Sequence, residues 1–430
     1  MLEGFFKLKE HQTNVKTEAL AGFTTFLTMM YIVPVNAIIM SQTGMPMDAL
    51  ITATALITIL STLLNGVWAN TPVAMSVGMG LNAYFTFGLV LGMKIPWENA
   101  LGIVFLSGIL FLVVSFTNFR RWIMESIPHD LRRAISAGIG AFIAFIGLKQ
   151  MGIIADNPAT LVGLGNLADT NVLVGIFGLL VVLALSAWRI KGAFILSVAI
   201  TSILGWILGI KAMPEAIFSM PASIAPIMFK LNILEVLTLS MLPVILAFMI
   251  TDMFDSLGTL AGVGYRAGIF REKGSKELEK TLQVDAVATV GGSLLGLSTT
   301  TSFLESASGV EEGGRTGLTA IFTAFCFILT LFMLPLFGAI PDNAIYPVLV
   351  AVGILMFAEL RHVDFSDFSI SVAAFAIVLF MPLTYSITNG LAAGLLLYFF
   401  MRLIKGEFKE LSGGLLFLAL ISLIPFVFHA

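Results

Sequence analysis

The sequence predicts an all-α polytopic membrane protein. It has about fourteen transmembrane segments in two inverted seven-span repeats, with short extended strands in spans 3 and 10. Three observations carry this prediction. The 430 residues are 58% hydrophobic and 11% charged, with a mean hydropathy of +0.99, whereas soluble domains are about 25% charged. Residues 19–47 and 49–93 hold no charge at all. The positive charges that remain sort to alternate connections.

A helical crossing takes about 20 apolar residues. Such stretches lie at 19–41, 47–69, 73–92, 98–117, 131–151, 172–188 and 193–210. The second half supplies 233–262, 281–297, 298–314, 317–338, 344–360, 368–384 and 387–405, with a further apolar stretch at 411–429. Several are short and Gly-rich, in keeping with half-crossings. Lys7, Lys9 and Lys16 precede the first span, and "NFRRWIMESIPHDLRR" follows the fourth. "WRIKG", "YRAGIFREKGSKELEK", "ELRH" and "RLIKGEFK" follow spans 6, 8, 12 and 14, while the odd-numbered connections are nearly free of Lys and Arg, apart from Lys94, Lys149, Lys211 and Lys230. The positive-inside rule then places the N-terminus in the cytoplasm. Residues 1–17 read as an interfacial lead-in with no removable signal peptide.

A net charge of −3 gives no reason to expect nucleic acid as a partner. Cys326 stands alone in an apolar run and reads as a packed thiol, and the four histidines lack ligand spacing, so no metal or cofactor is expected.

The chain resembles itself. At a gap-free offset of 223 residues, Thr28–Tyr31 overlies Thr251–Phe254, and Leu81–Asn82 overlies Leu304–Glu305. An odd number of spans per half inverts the second half. Both halves also carry an interrupted segment. Span 3 reads "NTPVAMSVGMGLNAYF", with Pro72, Gly78 and Gly80. Span 10 reads "LSTTTSFLESASGVEEGG", where Thr299, Thr300, Thr301 and Ser302 favour extended chain. Extended backbone at membrane depth must be buried in protein or line a cavity. Matched interruptions point to a midplane binding site.

An ionisable residue within a span costs about 2.5–3.5 kcal/mol on insertion scales. Asp252 and Asp255 lie in span 8 and share a helix face as i and i+3. Asp285 lies in span 9, Glu305 at the break in span 10, and Asn82 is its polar counterpart in span 3. Thr24, Thr25 and Thr28 give span 1 a hydroxyl face, which the commoner pattern would spend on the helix's own carbonyls. Phe26, Tyr31 and Phe303 read first as core, and Glu311, Glu312 and Arg315 as a solvated or ion-paired end. Asp252 and Glu305 have no Lys or Arg close in sequence at similar depth. Two carboxylates facing one pocket suit paired N–H donors of a planar heterocycle and repel an anion. A buried carboxylate also suits a coupled proton.

"ANTPVAMSVGMGLNAYF", "TDMFDSLGTLAGV" and "TTTSFLESASGVEEGGRTGLT" resemble the AzgA-like purine permeases, a branch of the nucleobase–ascorbate transporter (nucleobase–cation symporter) family. The resemblance runs from about residue 15 to the C-terminus. It implies a core domain (18–120 and 231–340) moving against a gate domain (121–230 and 341–430) in an elevator-like cycle, usually as a homodimer. It also implies strands of spans 3 and 10 meeting at the substrate. Substrate-binding acids fall on Asp252 and Glu305, with Asn82 in span 3; Asp255 and Asp285 fall on acids tied to transport or proton coupling, a role Glu305 shares. Phe26, Thr28, Ser76, Val77, Phe303 and Leu304 fall beside the ligand. The activity implied is proton-coupled uptake of adenine, guanine or hypoxanthine across the bacterial inner membrane.

Three other readings fit the sequence less well. An intramembrane aspartyl protease needs aspartates on facing helices, one in a Gly-x-Gly-Asp turn, but "GMG" lacks the acid and Asp252 and Asp255 share a helix. A channel prefers rings of charge or carbonyls. A carrier of the same architecture for a pyrimidine or xanthine keeps the pocket chemistry and changes the cargo.

Overall fold

The computed structural model describes residues 5–117, 126–267 and 276–427. Arg120, Arg121, Arg271 and Lys273, which contribute to the charge pattern above, lie outside them.

Span 1 is α1 (Val15–Met29) and α2 (Ile32–Ser41), separated by a slight break, and span 2 is α3 (Met47–Trp68). Span 3 is interrupted. It begins as strand β1 (Met75–Val77), turns at Gly78 into α4 (Met79–Ala83), and continues as a π-helix, Tyr84–Gly92. Helices α5 (Trp97–Ser115), α6 (His129–Gln150), α7 (Thr170–Ala187) and α8 (Ala193–Ile207) complete the first half.

The second half repeats the plan. Helices α9 (Leu242–Ala267) and α10 (Lys276–Leu294) lead to strand β4 (Thr300–Ser302) and the short α11 (Ser306–Glu311). Six helical residues rise only about 9 Å, so span 10 crosses as strand plus half-helix. Then come α12 (Gly317–Phe327), α13 (Leu334–Gly338), α14 (Asp342–Phe357), α15 (Phe368–Leu383) and α16 (Ile387–Ile404). The predicted 411–429 stretch holds α17 (Gly413–Ser422) and α18 (Ile424–Val427), packed against α16.

Among the described residues, eight helices are long and apolar enough to cross a membrane, and shorter apolar helices at Met79–Gly92, Ala193–Ile207, Gly317–Phe332, Phe368–Leu383 and Gly413–Val427 add to them. Sequence and structure differ in the connections. A hairpin of β2 (Ile154–Asn157) and β3 (Leu161–Leu164) fills the loop after span 5. Residues 233–241, assigned above to span 8, are irregular apart from one 3-10 turn at Leu234–Val236. Hydropathy reports an apolar chain there but not whether its backbone bonds close within it.

The helices pack in two groups. Helices α1, α2, α3, α5 and α9–α12 pack mainly on one another, as do α6, α7, α8 and α14–α16. Between the groups, α9 meets α16 and α6, and α1 meets α8. Small residues permit the tightest crossings within a group. A Cβ on Gly140 would lie 2.6 Å from the Gly353 carbonyl oxygen where α6 crosses α14, and one on Gly66 would lie 2.7 Å from that of Gly317 where α3 crosses α12.

Candidate functional site

The two interrupted spans meet as an antiparallel pair, with Met75 opposite Ser302, Ser76 opposite Thr301 and Val77 opposite Thr300. Gly78 N–H donates to Thr299 at 2.9 Å, and Phe303 N–H to Ala74 at 2.9 Å, closing the ladder at both ends. Two strands with so few mutual bonds are marginal alone. Neighbouring helices supply the rest. The Ser306 hydroxyl accepts from Ala74 N–H at 3.0 Å. The Thr62 hydroxyl accepts from Met75 N–H and donates to its carbonyl, both at 3.0 Å. Thr289 Oγ1 stands in the same relation to Thr300, 3.1 Å from its N–H and 2.9 Å from its carbonyl.

The ionisable residues gather around this crossing. Asp252 is buried on α9, where its Oδ2 accepts from the Thr289 hydroxyl at 2.9 Å and its Oδ1 has no partner among the described residues. Asp285, also fully buried, accepts from the Ser256 hydroxyl and keeps Oδ1 unpartnered. Ser256 in turn lies 2.6 Å from the Thr301 hydroxyl. Asp255 and Glu305 are partly exposed, and Gly258 and Leu304 beside them are exposed. Tyr31, wholly buried, donates to Glu305 Oε1 at 2.5 Å and packs edge-on against Phe194 of α8.

Asn82 is buried with its amide donating to Asn36 at 2.5 Å and its Oδ1 unpartnered. Asn36 is itself held by Thr54 at 2.7 Å. Unsatisfied buried acceptors cost about 1–3 kcal/mol each, and Asp252 Oδ1, Asp285 Oδ1 and Asn82 Oδ1 are acceptors that suit N–H donors.

Other predicted residues are placed differently. The Thr28 hydroxyl bonds back to the Thr24 and Thr25 carbonyls at 3.1 and 2.9 Å, and Phe26 sits edge-on to Phe327 at 5.1 Å. Ser76 Oγ is spent on Thr58 at 2.6 Å. Val77 and Phe303 are buried beside the crossing. Tyr31, Asn36, Thr62, Ser256 and Thr289 were not singled out as site residues from sequence. The available signal was helical spacing: Thr289 lies four residues after Asp285, and Ser256 four after Asp252.

Comparison with known proteins decides the family. The model of a permease family, Xan_ur_permease, matches residues 16–404. The chain belongs to this permease family. Adenine permease AdeP of Escherichia coli (strain K12) is 41% identical over 429 residues, covering 100% of this chain and 96% of that one. Guanine/hypoxanthine permease PbuG of Bacillus subtilis (strain 168) is 38% identical over 438 residues, covering 99% and 100%. A putative permease of Methanocaldococcus jannaschii, MJ0326, is 45% identical over 428 residues, covering 99% and 98%. The resemblance to purine permeases is therefore borne out along the whole chain.

Among solved structures, the transmembrane domain of a cyanobacterium bicarbonate transporter, BicA, superposes with a TM-score of 0.65 at 14% identity, covering 89% of this chain and 97% of that one. Murine Slc26a9 does so with a TM-score of 0.64 at 10% identity, covering 90% and 68%. Identities this low establish the shared inverted-repeat fold and nothing about cargo.

Proposed function

We propose that this permease takes up a purine nucleobase (adenine, guanine or hypoxanthine) by proton symport. The carrying observation is the gathering of buried acceptors, Asp252 Oδ1 and Asn82 Oδ1 among them, beside the crossing of β1 and β4. Asp252 and Glu305 clamp the N–H edges of the base, and backbone groups near Ser76 and Phe303 close the site. Asp255 and Asp285 handle the proton. Four carboxyl groups, Asp252, Asp255, Asp285 and Glu305, gather in this constellation, which disfavours an anionic cargo. The names of the relatives, adenine and guanine/hypoxanthine permeases, support a purine over a pyrimidine.

The two groups of helices support core and gate domains that move past one another, with 18–120 and 231–340 as core and 121–230 and 341–430 as gate. A homodimer holding the gate fixed completes the elevator reading. The membrane potential adds about 2.3 kcal/mol per charge per 100 mV to the driving force.

Uptake of labelled adenine, guanine and hypoxanthine into cells lacking their own purine permeases tests this directly, with a protonophore as the second arm. Glu305→Ala is expected to abolish saturable uptake. Uptake at unchanged affinity in that variant would refute the clamp, and uptake indifferent to the protonophore would refute symport.

A further inference from the structure

Antiparallel ladders alternate between bonded and non-bonded residue pairs. The bonds from Gly78 to Thr299 and from Phe303 to Ala74 fix the alternation here. They leave Val77–Thr300 and Met75–Ser302 as the non-bonded pairs. The peptide groups of Met75 and Thr300 therefore point away from the partner strand, and each is met by one threonine. Thr62 of α3 clasps Met75, and Thr289 of α10 clasps Thr300. The two clasps occupy equivalent places in the two halves of the fold, but they are not equivalent chemically. Thr62 touches no acid, whereas Thr289 also lies 2.9 Å from Asp252 Oδ2.

A threonine hydroxyl has one hydrogen. Thr289 faces two acceptors, the Asp252 carboxylate and the Thr300 carbonyl, both at 2.9 Å. With Asp252 ionised, the hydrogen goes to the carboxylate, the stronger acceptor, and the Thr300 carbonyl is left without it. With Asp252 protonated, the acid donates to Thr289 Oγ1, whose own hydrogen then turns to the Thr300 carbonyl. Thr300 N–H donates to the oxygen in both states.

We propose that Thr289 is the positioning residue through which β4 registers the protonation of Asp252, coupling proton to substrate at the strand crossing. This rests on the transport reading given above and adds Asp252, the substrate clamp, to Asp255 and Asp285 as a carboxylate that the coupled proton visits. Other charges face the same place: Asp255 on α9, Asp285 on α10 and Glu305 beyond β4, with Tyr31 of the α1–α2 break on Glu305 and Arg132 of α6 over the Phe254 ring at 5.9 Å. The Ser256 hydroxyl makes a similar link between Asp285 and the Thr301 side chain, so each buried aspartate reaches β4 through one hydroxyl.

The test uses full-length protein in liposomes with tritiated adenine as probe. One arm measures exchange against internal adenine at zero pH gradient; the other measures accumulation driven by an imposed gradient. Thr289→Val is expected to lower accumulation at least tenfold while exchange falls less than threefold. Thr289→Ser should keep both, and Thr62→Val should change both arms in parallel. Thr289→Ala, which removes the same hydroxyl with less bulk, repeats the measurement independently of the valine. Accumulation at the wild-type level in T289V or T289A overturns the assignment, and so does equal loss of both arms. Failure of both hydroxyl-free variants to fold, with T289S intact, also overturns it, because the hydroxyl would then be holding structure. Wild-type vesicles that take up no adenine, guanine or hypoxanthine would overturn the transport reading and this assignment with it.

Discussion

The Tyr31 hydroxyl donates to Glu305 Oε1 at 2.5 Å, joining the break in span 1 to the break in span 10. It fixes one carboxylate oxygen and so the direction of the other. A hydrogen bond to a charged group is worth about 1.5–3 kcal/mol, and 1.4 kcal/mol is tenfold in affinity. Tyr31→Phe keeps the ring against Phe194 and is expected to weaken purine binding about tenfold without lowering the melting temperature. Binding titration with purified protein, read beside a thermal melt, checks both.

Glu18 is wholly buried in the first turn of α1, and its carboxylate accepts from the start of α12. The donors are the Arg315, Thr316 and Thr319 amides at 3.0, 3.3 and 3.0 Å and the Thr316 and Thr319 hydroxyls at 2.9 and 2.5 Å. A negative charge at a helix N-terminus is also favoured by the aligned peptide dipoles. Glu18→Ala leaves these donors unpaired and is expected to cost about 2–4 kcal/mol. Glu18→Gln, which keeps one acceptor oxygen, should lose less. Melting temperature in detergent ranks the three proteins, and equal stability would remove Glu18 as the tie between the halves.

Arg402 lies at the end of α16, where its guanidinium meets Asp367 at 2.5 Å, Glu410 at 2.9 Å and Glu407, with the Tyr398 hydroxyl 3.0 Å from Nε. Burial opposes ionisation of Asp367, but the Ser369 amide, Lys405 and Arg402 together hold its carboxyl below the usual range. A carboxyl depressed in the folded state gives stability above its unfolded pKa that is lost as pH falls through the folded one. Arg402→Met leaves three carboxylates facing one another. The variant should be less stable than wild type at pH 7, with the gap narrowing on acidification as the Asp367 carboxylate that Arg402 holds ionised takes up its proton. Melting curves at falling pH read it, and a gap that widens on acidification would contradict the arrangement.

At the Gly140–Gly353 crossing, a side chain has nowhere to go, because backbone faces backbone. Gly140→Val should push α6 from α14 and cost at least about 2 kcal/mol. Gly413, with nothing within 4 Å of an added Cβ, should accept alanine with little change. Thermal melts of G140V and G413A provide the comparison.

Much of this was legible in the sequence. The uncharged runs and alternating positive charge expose the spans, because the hydrocarbon core penalises charge wherever it falls. Pro72, Gly78 and the run Thr299–Ser302 expose the two interruptions, since neither stretch favours continuous helix. Strand register was not legible: Thr300 pairs across from Val77, while the gap-free offset of 223 misaligns the strands, because Thr300 follows Met75 by 225 residues. Which hydroxyls serve the acids was also hidden. Thr28 and Thr289 look alike in sequence, yet one is spent on its own helix and the other bridges Asp252 to β4. Only packing tells them apart.

The strand crossing has a consequence for biogenesis. Its two edges leave the ribosome more than two hundred residues apart, so the pocket has no existence during synthesis of the first half. Until Thr300–Ser302 arrives, Met75–Val77 is an unmatched edge in the bilayer, met on its other side by Thr58, Ser61 and Thr62 of the preceding helix. Nascent chains truncated before residue 300 should therefore be held by insertion chaperones or degraded, and co-expression of the two halves as separate polypeptides should rescue both.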